Sequence, residues 1–219
     1  LADERMGLVR LLHPPLAHAV PSAGYIQAYP GGVRENGGQY THAGVWAVMA
    51  QARLAATPGG TAADSAAAAD AAWRWFTWLS PAHRAADAAQ SAVYGLEPYA
   101  VAADVYSQPP WAGRGGWSWY TGAAGWLHRA AVESIFGLQL RAGELSFRPC
   151  LPTHWPRAEL TLRRDGRSMR FVLLRAPADQ ALAASGLGEA GARLLAVGQQ
   201  LRWPEMVGDS IFVIALPGG

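Results

Sequence analysis

A chain of 219 residues with 51% hydrophobic and 16% charged residues has the composition of a folded globular protein and is long enough for one large domain or two small ones. Its 18 basic and 16 acidic residues leave a formal charge of +2 and are spread along the chain, which excludes the electrostatic footprint of a nucleic-acid or anionic-membrane binder. The uncharged stretch from Leu11 to Val33 is broken by four prolines and does not read as a membrane span, and Cys150, the one cysteine, allows no internal disulfide and suits a reducing, cytoplasmic compartment.

Leu1 to Leu12 reads as the end of an amphipathic helix without the basic start or cleavage site of a signal peptide, so the chain is expected to be a fragment cut inside a larger protein. His13 to Gly38 carries Pro14, Pro15, Pro21, Pro30, Gly31, Gly32, Gly37 and Gly38, too many breakers for regular structure. Loops of that length inside compact domains are usually functional or disordered. Tyr40 to Ala56 reads as a helix, with Ala43, Trp46, Ala47, Ala50 and Leu54 at helical spacing and Pro58-Gly59-Gly60 to end it. Thr61 and Asp64 form a capping-box pattern for a second helix, which runs to about Leu79 and is stopped by Ser80-Pro81. A second breaker-rich stretch, Tyr94 to Gly116, precedes a helix from about Trp119 to Phe136, closed by Gly137.

After Gly137 the apolar period changes from helical to two. Leu138 to Arg141, Glu144 to Arg148, Glu159 to Arg164 and Met169 to Leu174 alternate apolar and polar residues between turn signals, and Arg193 to Val197 and Ile211 to Leu216 resemble two further strands. Ala178 to Ala190 has no clear period. The expectation is a mainly α protein with a β domain: a helical layer over 1–137 and an antiparallel β-sandwich over 138–219.

Two clusters can carry chemistry. In the first, Tyr25 to His42, Gly37 and Gly38 let backbone approach a ligand, and Arg34, Glu35, Asn36, Gln39, Tyr40, Thr41 and His42 supply donors and acceptors suited to a sugar or an anion. His42 lies near a helix start, where unpaired N–H groups favour an anion. The plainer alternatives are a rigid loop that satisfies its own backbone and a hydrogen-bonded structural histidine. In the second, Gly113 to Trp126, a glycine-rich loop enters a helix, and the N–H groups near Thr121 and Gly122 with the Thr121 hydroxyl form a candidate oxyanion cradle; a tight turn would need the same glycines. Ten tryptophans, among them Trp111, Trp117 and Trp119 in or beside this loop, offer faces for sugar stacking or for core packing. Glu97 and Asp104 are the carboxylates available for acid or base work, at a separation that sequence does not fix.

The strings GVRENGGQYTHAGVW (32–46), EPYAVAADVYSQPP (97–110), GRGGWSWYTGAAGW (113–126) and RPCLPTHWP (148–156) resemble, in order, those of the phosphorylases of glycoside hydrolase family 94, and their wording is most like the C-terminal part of cyclic β-1,2-glucan synthases. The resemblance implies the later helices of an (α/α)6 barrel followed by a β-sandwich. It also implies an inverting phosphorolysis in which phosphate attacks the anomeric carbon, an aspartic acid protonates the leaving oxygen and an α-sugar 1-phosphate forms. Phosphate contacts carry over to His42, Thr121 and Gly122, and acceptor-sugar contacts to Tyr29 and Arg34; at Arg34 the cellobiose-specific members have lysine. The DWND-like motif that bears the family's general acid does not occur in this sequence, so no catalytic acid is expected in the chain, which on its own is expected to be inactive; the acid is expected upstream. The implied partners are a β-linked glucan or disaccharide, inorganic phosphate as co-substrate with no other cofactor and no metal, the preceding part of the same enzyme, and a second copy if the parent is a homodimer. A parent of the glucan-synthase type could be membrane-anchored. The competing functions are hydrolysis on the same barrel, with Glu97 or Asp104 as base, and a non-catalytic carbohydrate-binding unit.

Overall fold

The computed structural model describes residues 1–57, 59–202 and 208–217; Pro58, expected as part of a helix stop, lies outside them. The chain divides into two compact units, one comprising Leu1–Arg53 with Ala71–Ala131, the other Leu54–Asp70 with Val132–Gly219.

The first unit opens with a hairpin, not a helix: β1 (Ala2–Asp3) and β2 (Leu8–Val9) pair antiparallel. Leu8 and Val9 are both buried, as a two-sided strand requires, so the apolar spacing read as helical belongs to a strand that hides both faces. A short 3-10 helix (Gly24–Ala28) breaks the long loop before β3 (Gln39–Tyr40), which runs directly into α1 (Thr41–Ala55). There follow α2 (Ala62–Leu79), stopped at Ser80-Pro81 as expected, α3 (Pro81–Arg84) and α4 (Ala88–Tyr94). Asp87 caps α4 by accepting the Gln90 N–H at 2.8 Å, and Gly95 ends it with a left-handed φ of 67°.

The second breaker-rich stretch is not all loop. It contains β4 (Asp104–Val105) and β5 (Gly115–Gly116), which with β3 make an antiparallel sheet in the order β3-β4-β5. A sheet within the first 137 residues was not expected from the period of the sequence, because strands of two residues leave no alternation to read. The helix that follows is α5 (Thr121–Arg129), shorter than the expected Trp119 to Phe136; its continuation, Ala130–Ile135, has π-helical bonding.

In the second unit the start of α2 carries the reciprocal bonds of a capping box: Thr61 N–H donates to Asp64 Oδ2 and Asp64 N–H to Thr61 Oγ1, each at 3.1 Å. Beyond Gly137 come β6 (Leu138–Arg141), β7 (Glu144–Phe147), β8 (Arg157–Arg164), β9 (Arg167–Arg175), α6 (Ala181–Ser185), β10 (Arg193–Leu194), β11 (Leu201–Arg202) and β12 (Ser210–Leu216). They form one sheet in the order β11-β7-β6 and another in the order β10-β12-β9-β8. The purely antiparallel expectation is corrected here. β12 runs parallel to β9 over seven residue pairs and parallel to β10, while β8-β9 and the β6-β7-β11 sheet are antiparallel. The apolar runs FVLL in β9 and IFVI in β12 are the mark of strands flanked on both sides and buried on both faces. The core of this unit is aromatic: Phe147 lies 4.6 Å from Phe171, which stacks on Phe212 at 5.3 Å. Among the described residues no helix is long and apolar enough to cross a membrane.

Candidate active site

The β3-β4-β5 sheet brings the two polar clusters together. Tyr40 pairs with Asp104 and Asp104 with Gly116, so one register line joins the first cluster, the EPYAVAADVY segment and the glycine-rich loop. Both helices of interest are anchored to the same segment, just before β4, since Thr41 N–H donates to Ala103 O and Tyr120 N–H to Val101 O, each at 2.9 Å. α1 and α5 thus start side by side.

His42, on the first turn of α1, faces the first turn of α5. A side-chain carbon placed on Gly122 would lie 3.9 Å from His42 Nδ1, ordinary contact distance, so the glycine leaves that space open beside the imidazole. No side chain caps α5, and Thr121 and Gly122 are both exposed, which keeps first-turn N–H groups available to an anion. Aromatic rings wall the imidazole: Tyr40 stacks near parallel to it at 6.4 Å, Trp46 meets it edge-on at 4.8 Å and Trp126 lies at 6.1 Å.

The other polar residues of the first cluster divide into two groups. Asn36 and Gln39 are fully buried. Asn36 accepts the Leu16 N–H and donates to Tyr29 O, within the long loop, whereas Gln39 accepts the Val9 N–H of β2, so both side chains satisfy backbone. Tyr29 and Arg34 are brought together: the Arg34 guanidinium lies 5.8 Å from the Tyr29 ring centroid and 5.5 Å from that of Trp117. Arg34 and Trp117 hold left-handed φ values of 46° and 54°, an uncommon conformation for such residues that the surrounding bonds enforce.

Asp104 lies beneath Arg34. Its Oδ2 accepts the Arg34 N–H at 3.2 Å and is 4.0 Å from Nε, and the carboxyl is 2% exposed. Gly116 is required here because a methyl group on it would fall 2.5 Å from Asp104 Oδ1. Burial pushes the Asp104 carboxyl up to about 6, against the pull of Arg34 and with a further push from Glu35. A folded value raised above the ordinary 3.8 means a stability contribution that is full below pH 4 and is lost as pH rises through about 6. Asp104→Asn, which does not titrate, should therefore gain stability relative to the parent chain across that window, and denaturant midpoints measured from pH 4 to 7 check it; a constant difference would contradict the buried, raised carboxyl. Glu97 is the opposite case. Its own N–H and the Trp119 indole N–H, 3.3 Å away, hold its carboxyl below the usual range.

Sequence reasoning counted Tyr40 only among the polar groups of the first cluster and passed over Tyr120; their hydroxyls meet at 2.7 Å. The signal was present: a Tyr-Thr pair opens both helices, at 40–41 and 120–121.

Residues 1–137 match the family described as glycosyl hydrolase 94 superfamily, catalytic domain. The chain belongs to this family. It is 45% identical over 175 residues to the cyclic beta-(1,2)-glucan synthase NdvB of Rhizobium meliloti (strain 1021), covering 80% of this chain and 6% of that protein. It is 29% identical to the solabiose phosphorylase of Paenibacillus borealis (74% of this chain, 19% of that one) and 28% identical to the N,N'-diacetylchitobiose phosphorylase of Vibrio proteolyticus (65% and 16%). The chain therefore spans less than a fifth of the length of each of these relatives.

Proposed function

We propose that this chain is the C-terminal part of an inverting β-glucan phosphorylase, with residues 1–137 contributing later helices of an (α/α)6 barrel and 138–219 a β-sandwich whose larger sheet is mixed. His42, the Thr121 hydroxyl and the Gly122 N–H hold phosphate, and Tyr29 and Arg34 face the acceptor sugar. The observation that carries this reading is the placement of the His42 ring against the uncapped start of α5, which supplies side-chain and backbone donors to one small space. Negative charge on the attacking phosphate is then held by fixed donors that need no rearrangement as the bond to the anomeric carbon forms. The general acid comes from a segment preceding Leu1, as the family resemblance implies.

Hydrolysis with Glu97 or Asp104 as base has less support. Glu97 is held below the usual carboxylate range, and Asp104 is buried and engaged with Arg34. The test is made on the parent enzyme with a β-1,2-linked glucan. An α-sugar 1-phosphate is expected only when inorganic phosphate is supplied, and release of free reducing sugar at the same rate without phosphate would overturn the reading.

A further inference from the structure

The two helices that build the proposed phosphate site are each tied at their start by one backbone bond to the segment just before β4, at Val101 O and Ala103 O. The residue preceding each helix is a tyrosine. Tyr40 and Tyr120, eighty residues apart, place their hydroxyls 2.7 Å from each other, with ring centroids 6.2 Å apart. Tyr40 also stacks near parallel on the His42 ring, and Tyr120 is the residue from which Thr121 and Gly122 follow.

We infer that Tyr40 and Tyr120 are positioning residues: their hydroxyl bond locks the start of α1 to the start of α5 and so sets the distance between His42 and the Thr121-Gly122 donors. This rests on the proposed phosphate reading of that site. The mechanical argument is that two helix starts each tied by one backbone bond to a short irregular segment can still pivot about it, and a second tether across the gap removes the pivot. An anion site is sensitive to such motion because donors must stay near 2.7 to 3.1 Å from the oxygens they stabilise. Hydrogen bonding to Tyr120 and burial together push Tyr40 up to about 12, so the phenol remains protonated and the bond remains in place throughout the neutral range.

The experiment uses the parent enzyme and compares Tyr40→Phe, Tyr120→Phe, the double variant and His42→Ala, with inorganic phosphate and saccharide varied in turn. Phenylalanine keeps the rings and their stacking and removes only the tether. Each single variant should lower kcat/KM for phosphate about 3- to 10-fold, the range of one net hydrogen bond, and leave KM for the saccharide within about twofold. The double variant should be no worse than the poorer single, because both remove the same bond. If Tyr120→Phe does not fold, Tyr40→Phe decides alone. Additive losses, or equal losses toward both substrates, overturn the proposal. Normal phosphate kinetics in the tyrosine variants beside a large loss in His42→Ala also overturn it, and leave the phosphate reading standing. Normal phosphate kinetics in His42→Ala would remove the phosphate reading itself, and this inference with it.

Discussion

In the parent enzyme, His42→Ala and Thr121→Val should each lower the phosphate specificity constant about ten- to a hundredfold or somewhat more. Each removes one donor, and donors to charged groups contribute roughly 1.5 to 3 kcal/mol. The two substitutions differ in what they leave behind. Valine nearly preserves the shape of threonine, and Thr121 is exposed at the helix start, so little packing is lost with the hydroxyl. Alanine at position 42 also removes the ring that Tyr40, Trp46 and Trp126 pack against, so His42→Gln is a useful companion that retains a donor. Saccharide affinity should change much less in all three, because the proposed site turns these groups toward the phosphate. Phosphorolysis measured against phosphate at fixed saccharide, and then the reverse, separates the cases. Normal phosphate kinetics with a collapse of sugar binding would assign the pocket to a saccharide subsite.

Gly137→Ala should cost the second unit about 3 kcal/mol or more, read as a shift in the denaturant midpoint. The glycine ends the π-helical turn, its N–H donates to Val132 O, and its φ is 89°. A methyl group there would lie 2.3 Å from the carbonyl carbon and oxygen of Arg148 and 2.5 Å from Pro149 N. These are backbone atoms, with no flexible side chain to move aside. Relief requires displacing the strand end that supplies the Arg148 N–H to Gly137 O and the Cys150 N–H to Ile135 O. Left-handed strain of roughly 1 to 3 kcal/mol and a comparable steric cost then add. A loss below about 1 kcal/mol would show that the β6-β7 hairpin shifts freely, contrary to its register of Leu138 against Phe147.

Where the apolar period was long, the sequence was legible. α1 and α2 lie within one or two residues of their expected ends, and the longer strands follow Gly137, although the short strands β1 to β5 precede it. Direction of pairing was not legible: β9 and β12 carry the same kind of apolar run whether parallel or antiparallel, and only the tertiary path from Arg175 to Ser210 decides. The hairpin at Leu1 to Val9 was misread because burial of both Leu8 and Val9 mimics one face of a helix. At the candidate site, the residues carried by the resemblance came together around His42 and around Arg34. The roles of Asp104 and of the two tyrosines escaped because each is a contact across seventy or eighty residues of chain, which no local pattern encodes.

The three-stranded sheet at the centre of the site has strands of only two residues, joined by connections of more than sixty and of nine residues. Closing the longer loop costs entropy that so few ladder bonds cannot return until the helices around it are already packed. The sheet is consequently expected to form late in folding and to open early, before the seven-pair ladder of β9 with β12. A substitution that loosens α1 or α5 should thus open this sheet at temperatures where the bulk of the β-structure is still intact, and a heat-treated sample would look folded by its strand content after the candidate site has come apart.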